Sequence, residues 1–425
     1  MQRRILLVCP YFTPSRAIGA RRVEKLAVAL DKRGWQVTVL TLQGHLTGAA
    51  DAEVSVPERI EIIRTWAPLP RAIAAKLLPK PSTSPVPSAP VSAPAMATRT
   101  GSFRTWIRRL LEGYDRYDRW ALTATSAVRG RKFDVILASI PPRVAAHIAS
   151  KIARRSSARL VLDYRDPWIM TGRWRGLPSA PAPIDGDGSV PLAKFRQQER
   201  AILAQAALVI STTPTITNMI QGRCSTPVIT IPTGFAGQVY NEPGAQTSPH
   251  LIAYTGSLAY GRSLLPLFEA FASLRQRLPP TDLRLVYCGP SSATARAEAE
   301  RAGVSDYLDD KGSVAPAQAR LYNERASAVV VVVSELYDYA YPGKMFEIMQ
   351  SGRPMLSLSK RASDASELVT RYKLGWSCRQ DDIVSIADAI VAACQGDAPH
   401  PIDLDELQTD ILMDRAVDAI EACDN

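Results

Sequence analysis

Short apolar runs that alternate with helical segments constrain the fold of this chain more than any other feature. Residues 5–8 and 37–40 are short, uncharged and rich in aliphatic side chains, as are strands that are buried on both faces of a parallel sheet. The segment between them repeats apolar residues at helical spacing and ends at Gly34, a residue type that favours helix ends. This order predicts a βαβ unit at the amino terminus.

The same alternation continues along the chain in two series. Further strands are expected at 60–63, 134–138, 160–162, 208–210 and 228–231 in the first series, and at 251–254, 283–287, 328–333 and 355–358 in the second. Alternating strands and helices predict an α/β class with parallel sheets and helices on both faces. We therefore expect two Rossmann-like, doubly wound domains. They span 1–235 (with an insertion at 44–130) and 236–402, and a last helix spans 403–425.

The net charge indicates an anionic partner. Lys and Arg number 51 against 41 Asp and Glu, which gives +10 at pH 7 and suits a nucleotide, a phospholipid surface or a nucleic acid. The basic residues are dispersed and no nucleic-acid recognition motif is present, so no nucleic acid partner is expected.

The six cysteines are scattered, and the apolar run after Arg3 and Arg4 is too short for a signal segment or a membrane span. These features predict a cytosolic protein with reduced thiols.

No metal site is expected from the sequence. The four histidines and six cysteines have no ligand spacing, which a zinc site would require. Asp185 and Asp187 form an Asp-x-Asp pair, which binds a metal ion in some enzymes where it ends a strand. Here the pair lies among Pro, Gly and Ser, and this composition favours an ordinary loop.

Residues 339–354, with the sequence YAYPGKMFEIMQSGRP, combine a strand exit, a helix start and two charges. They follow the apolar run 328–333, and Pro342 stands where a first helical residue is expected. Lys344 then lies in the first turn and Glu347 about one turn further on. Helix N-termini that follow a parallel strand offer backbone N–H groups to an anion, so this pair suits a diphosphate and a sugar hydroxyl. The alternative is an ordinary strand and helix with two surface charges.

Residues 103–121, with the sequence FRTWIRRLLEGYDRYDRWA, repeat apolar side chains at helical spacing with arginines between them. An aromatic stripe flanked by arginines suits a helix that lies on an anionic membrane. The alternative is a helix whose stripe packs on the domain core. The apolar and basic run at 72–80 favours the membrane, and the expected contacts are Phe103, Trp106, Ile107 and Leu110.

The amino-terminal PYFTPSRAIGARRVEKLAVALDKRGWQVTVLT resembles the opening of glycosyltransferase family four. The resemblance implies the GT-B fold, in which two Rossmann-like domains face each other across a cleft. In that family a glycine loop after the first strand approaches the donor diphosphate, which places Gly19 and Ala20 there. The family usually has a double glycine, whereas this chain has Ile18 before Gly19. A small residue lets the backbone reach a ligand.

Two stretches of the second half resemble the family's donor site. In LIAYTGSLAYGRSLLPLFEAF, Gly256 is followed by Ser257 instead of the family's arginine, and Arg262 stands where its lysine is expected. VYCGP resembles the turn that borders the nucleobase, and it carries Gly289 and Pro290. The resemblance implies that Arg262 and Lys344 together face the diphosphate, where negative charge builds as the glycosidic bond breaks.

The stretch at 339–354 matches the family's Glu-x7-Glu region. Its second Glu is Glu347, which the resemblance assigns to the ribose hydroxyls, and its first is replaced by Tyr339. Its pattern is typical of a subgroup with Pro-x-Lys-x-x-Glu and Arg-Asp-Pro-Trp motifs. The complete set of implied donor-binding residues is Gly19, Ala20, Gly256, Ser257, Arg262, Gly289, Pro290, Tyr339, Pro342, Gly343, Lys344 and Glu347.

Two motifs of the first half, DVILASIPPRVAAHIA and LVLDYRDPW, resemble the same subgroup. Both fall just after predicted strands, and ligands of doubly wound sheets bind beyond such carboxyl ends. Ser139, Arg165, Asp166 and Trp168 are therefore expected on the acceptor side, where Asp166 would orient or deprotonate the acceptor hydroxyl. The alternative is that Asp166 caps the following turn and Trp168 packs.

The resemblance implies a retaining, metal-independent hexosyltransferase that moves a sugar from a UDP- or GDP-linked donor to an acceptor hydroxyl. Its catalytic residues would be Asp166, Arg262 and Lys344, and no cofactor beyond the nucleotide-sugar co-substrate is implied. The implied pathway is cell-envelope or exopolysaccharide assembly on a lipid-linked acceptor, at the cytoplasmic face of the membrane. Two alternatives stay open: a nucleotide-sugar 2-epimerase, and a non-catalytic nucleotide-sugar-binding partner subunit.

Overall fold

Two parallel β-sheets, one in each half of the chain, organise the computed structural model. It describes residues 2–15, 18–43, 56–67, 119–168, 192–237 and 249–423. We call the part built on the first sheet the N-terminal lobe and the part built on the second the C-terminal lobe. Each sheet carries apolar clusters on both faces. The predicted α/β class with two doubly wound sheets is confirmed.

The sheet of the N-terminal lobe has seven strands in the order β3-β2-β1-β4-β5-β6-β7. They are β1 (Arg4–Val8), β2 (Gln36–Leu42), β3 (Glu61–Thr65), β4 (Val135–Ile140), β5 (Arg159–Tyr164), β6 (Ala206–Ser211) and β7 (Val228–Thr230). The strand order reverses between β1 and β4, and ligands of doubly wound sheets bind at such a reversal.

Helices of the N-terminal lobe cover both faces of this sheet. They are α1 (Ile18–Lys32), α2 (Trp120–Ala127), α3 (Val144–Ser156), α4 (Leu192–Leu203) and α5 (Pro214–Gln221). Trp120 begins α2, is 0% exposed and donates from Nε1 to Oγ1 of Thr65 at 2.7 Å. For this member of the aromatic stripe the structure supports core packing. The predicted membrane contacts Phe103, Trp106, Ile107 and Leu110, and the Asp185–Asp187 pair, lie outside the described residues.

The sheet of the C-terminal lobe has six strands in the order β10-β9-β8-β11-β12-β13. They are β8 (His250–Thr255), β9 (Leu283–Cys288), β10 (Leu308–Gly312), β11 (Ala328–Val332), β12 (Met355–Ser359) and β13 (Gly375–Arg379). The four inner strands are those predicted from the sequence, whereas β10 and β13 are not predicted. These two form the edges of the sheet, and their sequences, LDDKG and GWSCR, lack a continuous apolar run.

Six α-helices belong to the described part of the C-terminal lobe. They are α6 (Leu265–Leu274), α7 (Ser292–Arg301), α8 (Pro316–Arg325), α9 (Gly343–Gln350), α10 (Asp364–Arg371) and α11 (Ile383–Gln395). Pro342 is the N-cap of α9 and not its first helical residue, which corrects the sequence prediction, because its ψ of 128° is extended. The carbonyl of Pro342 accepts a hydrogen bond from the N–H of Met345 at 2.8 Å.

A last helix, α12 (Thr409–Ala422), returns to the N-terminal lobe. Val417 and Ile420 of α12 are 0% exposed and join the cluster formed by α1 and β1. Its Glu421 accepts hydrogen bonds from Nη2 of Arg3 at 2.6 Å and from Nε1 of Trp35 at 3.1 Å. The carboxyl end of the chain is therefore part of the N-terminal lobe's core.

The two lobes contact each other beside α5 and α10. Oγ1 of Thr213 donates to the carbonyl of Tyr339 at 2.6 Å. Thr215 donates to Asp364 from its backbone N–H at 3.2 Å and from its hydroxyl at 2.9 Å. Burial raises the pKa of Asp364, and its hydrogen bonds from Thr213 and Thr215 oppose this shift. A carboxylate of one lobe thus lies at the N-terminus of a helix of the other, where the helix dipole favours negative charge.

Candidate functional site

A cavity of about 670 Å³ lies between the lobes, at the carboxyl ends of the strands of the C-terminal lobe. The ends of β8 and β9 form its floor, and α8 and α9 form its sides. The N-terminal lobe contributes two side chains from α1, Arg21 and Lys25. The remaining lining residues are Ala236, Thr255, Gly256, Ser257, Cys288, Gly289, Pro290, Ser313, Val314, Pro316, Ala319, Arg320, Asn323, Lys344, Glu347 and Gln350.

Gly289 allows the two loops on the cavity floor to meet. A Cβ at Gly289 would lie 1.9 Å from the carbonyl oxygen of Gly256 and 2.7 Å from Oη of Tyr287. Tyr287 links the same loops, because its hydroxyl donates to the carbonyl of Gly256 at 3.2 Å and accepts from the N–H of Ser291 at 2.8 Å. This packing holds Gly256, Ser257 and Pro290 of the predicted donor set together on one surface.

Lys344 and Glu347 project from the first turns of α9 into the cavity. Partial burial lowers the pKa of Lys344, and the charge of Glu347 opposes this shift. Burial raises the pKa of the neighbouring Cys288 thiol, which Lys344 opposes. The helix start, the ammonium and the carboxylate therefore face one space, as the sequence pattern predicts.

The charged residues that line the cavity are mostly cationic. Arg21, Lys25, Arg320 and Lys344 are cationic, and Glu347 is the anion among the described lining residues. Burial also lowers the pKa of Lys25, whose Nζ donates to Oγ1 of Thr409 at 3.2 Å. Cations on a partly desolvated wall attract an anion more strongly than they would in water.

Arg21, Lys25, Arg320 and Asn323 are lining residues that sequence reasoning missed. Arg21 and Lys25 are four residues apart and lie on one face of α1, but that spacing is as common on solvated helix surfaces. Asn323 is 6% exposed, and no described residue hydrogen-bonds its Oδ1. A buried amide in a cavity wall is a feature of binding sites that recognise polar ligands.

Several predicted donor residues lie away from the cavity wall. A Cβ built on Gly19 would lie 1.7 Å from Nη1 of Arg165, so that side chain covers the glycine, and Ala20 is 0% exposed. Tyr339 is 1% exposed and packs in the core of the N-terminal lobe, which does not fit direct contact between its side chain and a donor. Pro342 and Gly343 precede Lys344 and, among the described residues, do not line the cavity.

Arg262 does not line the cavity either but lies beside it, in the loop between β8 and α6. Its Nη1 is 3.5 Å from the carbonyl of Ala259, to which it donates. Its charge acts on the hydroxyls of Tyr254 and Tyr337, opposing the rise in pKa that burial causes at both. Arg262 and Lys344 are therefore on neighbouring surfaces, and of the two Lys344 lines the cavity.

The predicted acceptor residues cluster at the carboxyl ends of β4 and β5. Ser139 is 1% exposed; its hydroxyl donates to Oδ2 of Asp163 at 3.2 Å and accepts from Nε of Arg165 at 3.1 Å. Arg165 also donates to the carbonyl of Pro141. Asp163 in turn accepts from Arg22 at 3.0 Å. Ser139 thus positions Arg165, and its burial does not fit direct contact with an acceptor.

Asp166 is half-buried at the same edge of the sheet. Burial raises its pKa, and the charge of Arg165 opposes this shift. Trp168 is 5% exposed and its ring meets His147 edge-on with centroids 5.3 Å apart. For Trp168 the structure agrees with the packing alternative, whereas Asp166 is close enough to the C-terminal lobe for its charge to raise the pKa of Tyr337.

Neither a metal cluster nor a membrane-spanning helix is found in the described part of the chain. No three His, Cys, Asp or Glu side chains converge there in a way that would hold a metal ion. None of its helices combines the length and apolar character that crossing a bilayer requires.

Two family models match the chain. One, described as glycosyl transferase 4-like domain, matches residues 19–234. The other, described as glycosyl transferases group 1, matches residues 249–395. The first match covers most of the N-terminal lobe and the second covers the sheet of the C-terminal lobe. No curated protein matches the chain by sequence.

Solved structures share the two-lobed architecture. Sucrose-phosphate synthase from Thermosynechococcus elongatus is 16% identical with a TM-score of 0.60, and the match covers 100% of this chain and 96% of that one. A glycosyltransferase from Rickettsia africae is 10% identical with a TM-score of 0.58, covering 99% and 98%. HepE from Anabaena, in complex with UDP and glucose, is 11% identical with a TM-score of 0.54, covering 99% and 100%. At these identities the likeness concerns the fold.

Proposed function

Because the chain belongs to the glycosyl transferase 4-like family, we propose that it transfers a sugar from a nucleotide-diphosphate sugar to an acceptor hydroxyl. The observation that carries this proposal is the cation-rich cavity between the lobes. Its volume of about 670 Å³ falls in the range of small-molecule sites. The complex of HepE with UDP and glucose supports a nucleotide-sugar ligand for this fold.

The diphosphate would lie against Lys344 and the start of α9, with Arg21 and Lys25 approaching from the N-terminal lobe. Cations aimed at a leaving group stabilise the charge that develops as the glycosidic bond breaks. Glu347, one helical turn from Lys344, would accept hydrogen bonds from the ribose hydroxyls. The base would then lie towards α8, where Asn323 and Arg320 line the wall. UDP and GDP are the expected nucleotides.

The acceptor would approach from the carboxyl ends of β4 and β5. Asp166 would orient its hydroxyl, and the raised pKa of this carboxyl brings it closer to the range in which it can also exchange a proton. Arg165, held by Ser139, supports that position. Arg262 would complete the set from the C-terminal lobe. We propose transfer with retention, in which the departing phosphate assists attack on the same face of the sugar.

The cations of the cavity supply charge stabilisation that a divalent ion gives in other transferases, so we propose metal-independent hexosyl transfer without a further cofactor. We also propose a lipid-linked glycan acceptor in cell-envelope or exopolysaccharide assembly, at the cytoplasmic face of the membrane. The contacts proposed for that surface are Phe103, Trp106, Ile107 and Leu110.

Calorimetric titration with UDP, GDP and their hexose conjugates tests the proposal. We expect one nucleotide series to bind the full chain. Lys344→Ala should weaken that binding by at least about tenfold, the value of a charge-assisted hydrogen bond, and Arg277→Ala, an exposed site remote from the cavity, should not. Absence of binding to every nucleotide would overturn the proposal.

Product analysis then separates the alternatives. Donor and acceptor together should give a glycoside, with no requirement for an added divalent ion. A change of the donor sugar without acceptor would instead indicate a 2-epimerase. Tight nucleotide-sugar binding without turnover of any donor and acceptor pair would indicate a non-catalytic partner subunit.

A further inference from the structure

Tyr260 has an unusual backbone conformation in the loop between the cavity floor and α6. Its φ is 62°, and bulky residues rarely adopt a left-handed conformation. It lies four residues after Gly256, which lines the cavity. Backbone strain of this kind persists where the surrounding structure holds it and is concentrated at functional sites.

A hydrogen bond within the C-terminal lobe holds Tyr260 in this conformation. Ser334, two residues after β11, is 2% exposed, and its hydroxyl donates to the carbonyl of Tyr260. The same hydroxyl accepts from the N–H of Leu336 at 3.1 Å. The backbone of Tyr260 is therefore fixed to a buried serine, while the residue as a whole stays 44% exposed.

An aromatic series continues from Tyr260 towards the N-terminal lobe. The rings of Tyr260 and Tyr337 meet edge-on, with centroids 5.7 Å apart and an interplanar angle of 79°. Tyr337 meets Tyr339 at 6.1 Å, and Tyr339 packs in the core of the N-terminal lobe. One edge contact therefore braces the Tyr260 ring, and much of the ring surface remains open to solvent.

One charged group from each lobe lies near Tyr337. Burial raises the pKa of the Tyr337 hydroxyl; the neighbouring Tyr260 and Asp166 act in the same direction, and Arg262 opposes them. The guanidinium of Arg262 lies next to Tyr260, because its Nη1 donates to the carbonyl of Ala259 at 3.5 Å, and the carboxylate of Asp166 lies near enough to Tyr337 to affect its hydroxyl. Sites with an aromatic wall and a few convergent polar groups are typical of small polar ligands.

We propose that Tyr260, braced by Tyr337, is a stacking platform for a pyranose ring of the acceptor saccharide. This inference rests on the proposed function and names the chemistry of its acceptor. The apolar C–H face of a pyranose matches the electron-rich face of the tyrosine ring, while its hydroxyls are left to Asp166 and Arg262. The acceptor is then recognised through a sugar ring as well as through the hydroxyl that reacts.

Saturation-transfer NMR on the full chain tests the platform without requiring the natural acceptor. The probes are methyl β-D-glucopyranoside, methyl β-D-galactopyranoside and methyl α-D-mannopyranoside, each without nucleotide. We expect ring C–H signals from at least one glycoside. Tyr260→Phe should keep these signals, and Tyr260→Leu, which is apolar but has no π face, should weaken affinity by about fivefold, the value of an aromatic contact.

Tyr260→Gly removes the ring and suits the left-handed backbone, so its loss of signal cannot be attributed to strain. Wild-type signals in the Leu and Gly variants, or no signal from any glycoside with the wild type, would overturn the platform. UDP and GDP affinity, measured in the same samples, tells the two failures apart. Glycoside binding without nucleotide binding would overturn the proposed function and leave the platform standing.

Discussion

The guanidinium of Arg165 occupies the space that a side chain at residue 19 would need. A Cβ on Gly19 would lie 1.7 Å from Nη1 of Arg165 and 2.6 Å from its Cζ. Ser139 and the carbonyl of Pro141 hold Arg165 in that position. Arg165 can therefore keep this position only while residue 19 is a glycine. Because Arg165 precedes Asp166 in the chain, a change at residue 19 should also affect the surroundings of Asp166.

Gly19→Ala is predicted to displace Arg165 and to reduce transfer. The guanidinium is the flexible end of its side chain, so the fold should survive, but its hydrogen bonds to Ser139 and Pro141 must break. A misplacement of about 1 Å in an active site costs about 100-fold in rate, and we expect kcat to fall by up to that factor. Steady-state kinetics at saturating donor would measure it.

Gly222→Ala is the matched control for this change. A Cβ at Gly222 would meet its nearest neighbour, the carbonyl of Asn218, at 3.6 Å, which is ordinary van der Waals contact. We expect kcat of this variant to equal that of the wild type. Full activity in Gly19→Ala would show that the position of Arg165 does not matter for transfer.

Arg21 and Lys25 are predicted to bind the nucleotide from the opposite lobe. Both lie on α1, whereas the rest of the charged wall belongs to the C-terminal lobe. Replacement of either by Ala should raise the Kd for the nucleotide by about tenfold, the value of one charge-assisted hydrogen bond. Lys32→Ala, which removes an exposed lysine of the same helix, should leave the calorimetric Kd unchanged. Equal Kd values in all three variants would place the diphosphate on the C-terminal lobe alone.

Nucleotide affinity is predicted to decline with rising pH, and to do so below the pH at which an ordinary lysine loses its proton. Burial lowers the pKa of Lys344 from its ordinary value of 10.5, and it lowers the pKa of Lys25 as well. The protonated forms bind the diphosphate, so affinity falls as pH rises through these lowered pKa values. Lys344→Arg should shift the decline to higher pH, because guanidinium stays charged. The measurement is the nucleotide Kd of the wild type and of Lys344→Arg between pH 7 and 10. The same pH dependence in both proteins would show that Lys344 does not bind the diphosphate.

The free energy of unfolding of the nucleotide-free protein should also depend on the ionisation of Lys344. It should rise with pH over the range in which nucleotide affinity falls. Between the lowered pKa of Lys344 and the ordinary value, the unfolded chain holds more protons than the folded one, so the free energy of unfolding rises with pH. Below that window the desolvation cost of the charged Lys344 is fully present. A Lys344→Met variant should lose this part of the pH dependence in denaturant unfolding.

The inner strands could be predicted from the sequence because their burial on both faces demands continuous apolar runs. β11, for example, is AVVVV and is buried throughout. The edge strands could not, since β10 carries Asp309, Asp310 and Lys311, and only pairing with β9 makes it a strand. Edge strands of this kind are often polar.

The site was predictable where a local motif places a residue directly at the cavity, as at Lys344 and Glu347. It was not predictable where tertiary packing decides exposure. Ser139 lies near the end of β4 and Trp168 follows β5, where acceptor residues are expected, yet both side chains are buried. Arg21 lines the cavity only because the other lobe is placed opposite α1, and no local pattern carries that information.

The hydrogen bonds between Thr215 and Asp364 are predicted to hold the lobes in their observed arrangement. Thr215→Val keeps the shape of the side chain and removes the 2.9 Å hydroxyl bond to Asp364, which should cost about 1 kcal/mol. Thr226→Val is a matched control, because its hydroxyl bonds to Leu203 within the N-terminal lobe at 2.8 Å. Both variants should lower the melting temperature similarly. Only Thr215→Val should increase the radius of gyration in X-ray scattering, since only its bond joins the lobes; equal radii in both variants would mean that other contacts set the arrangement.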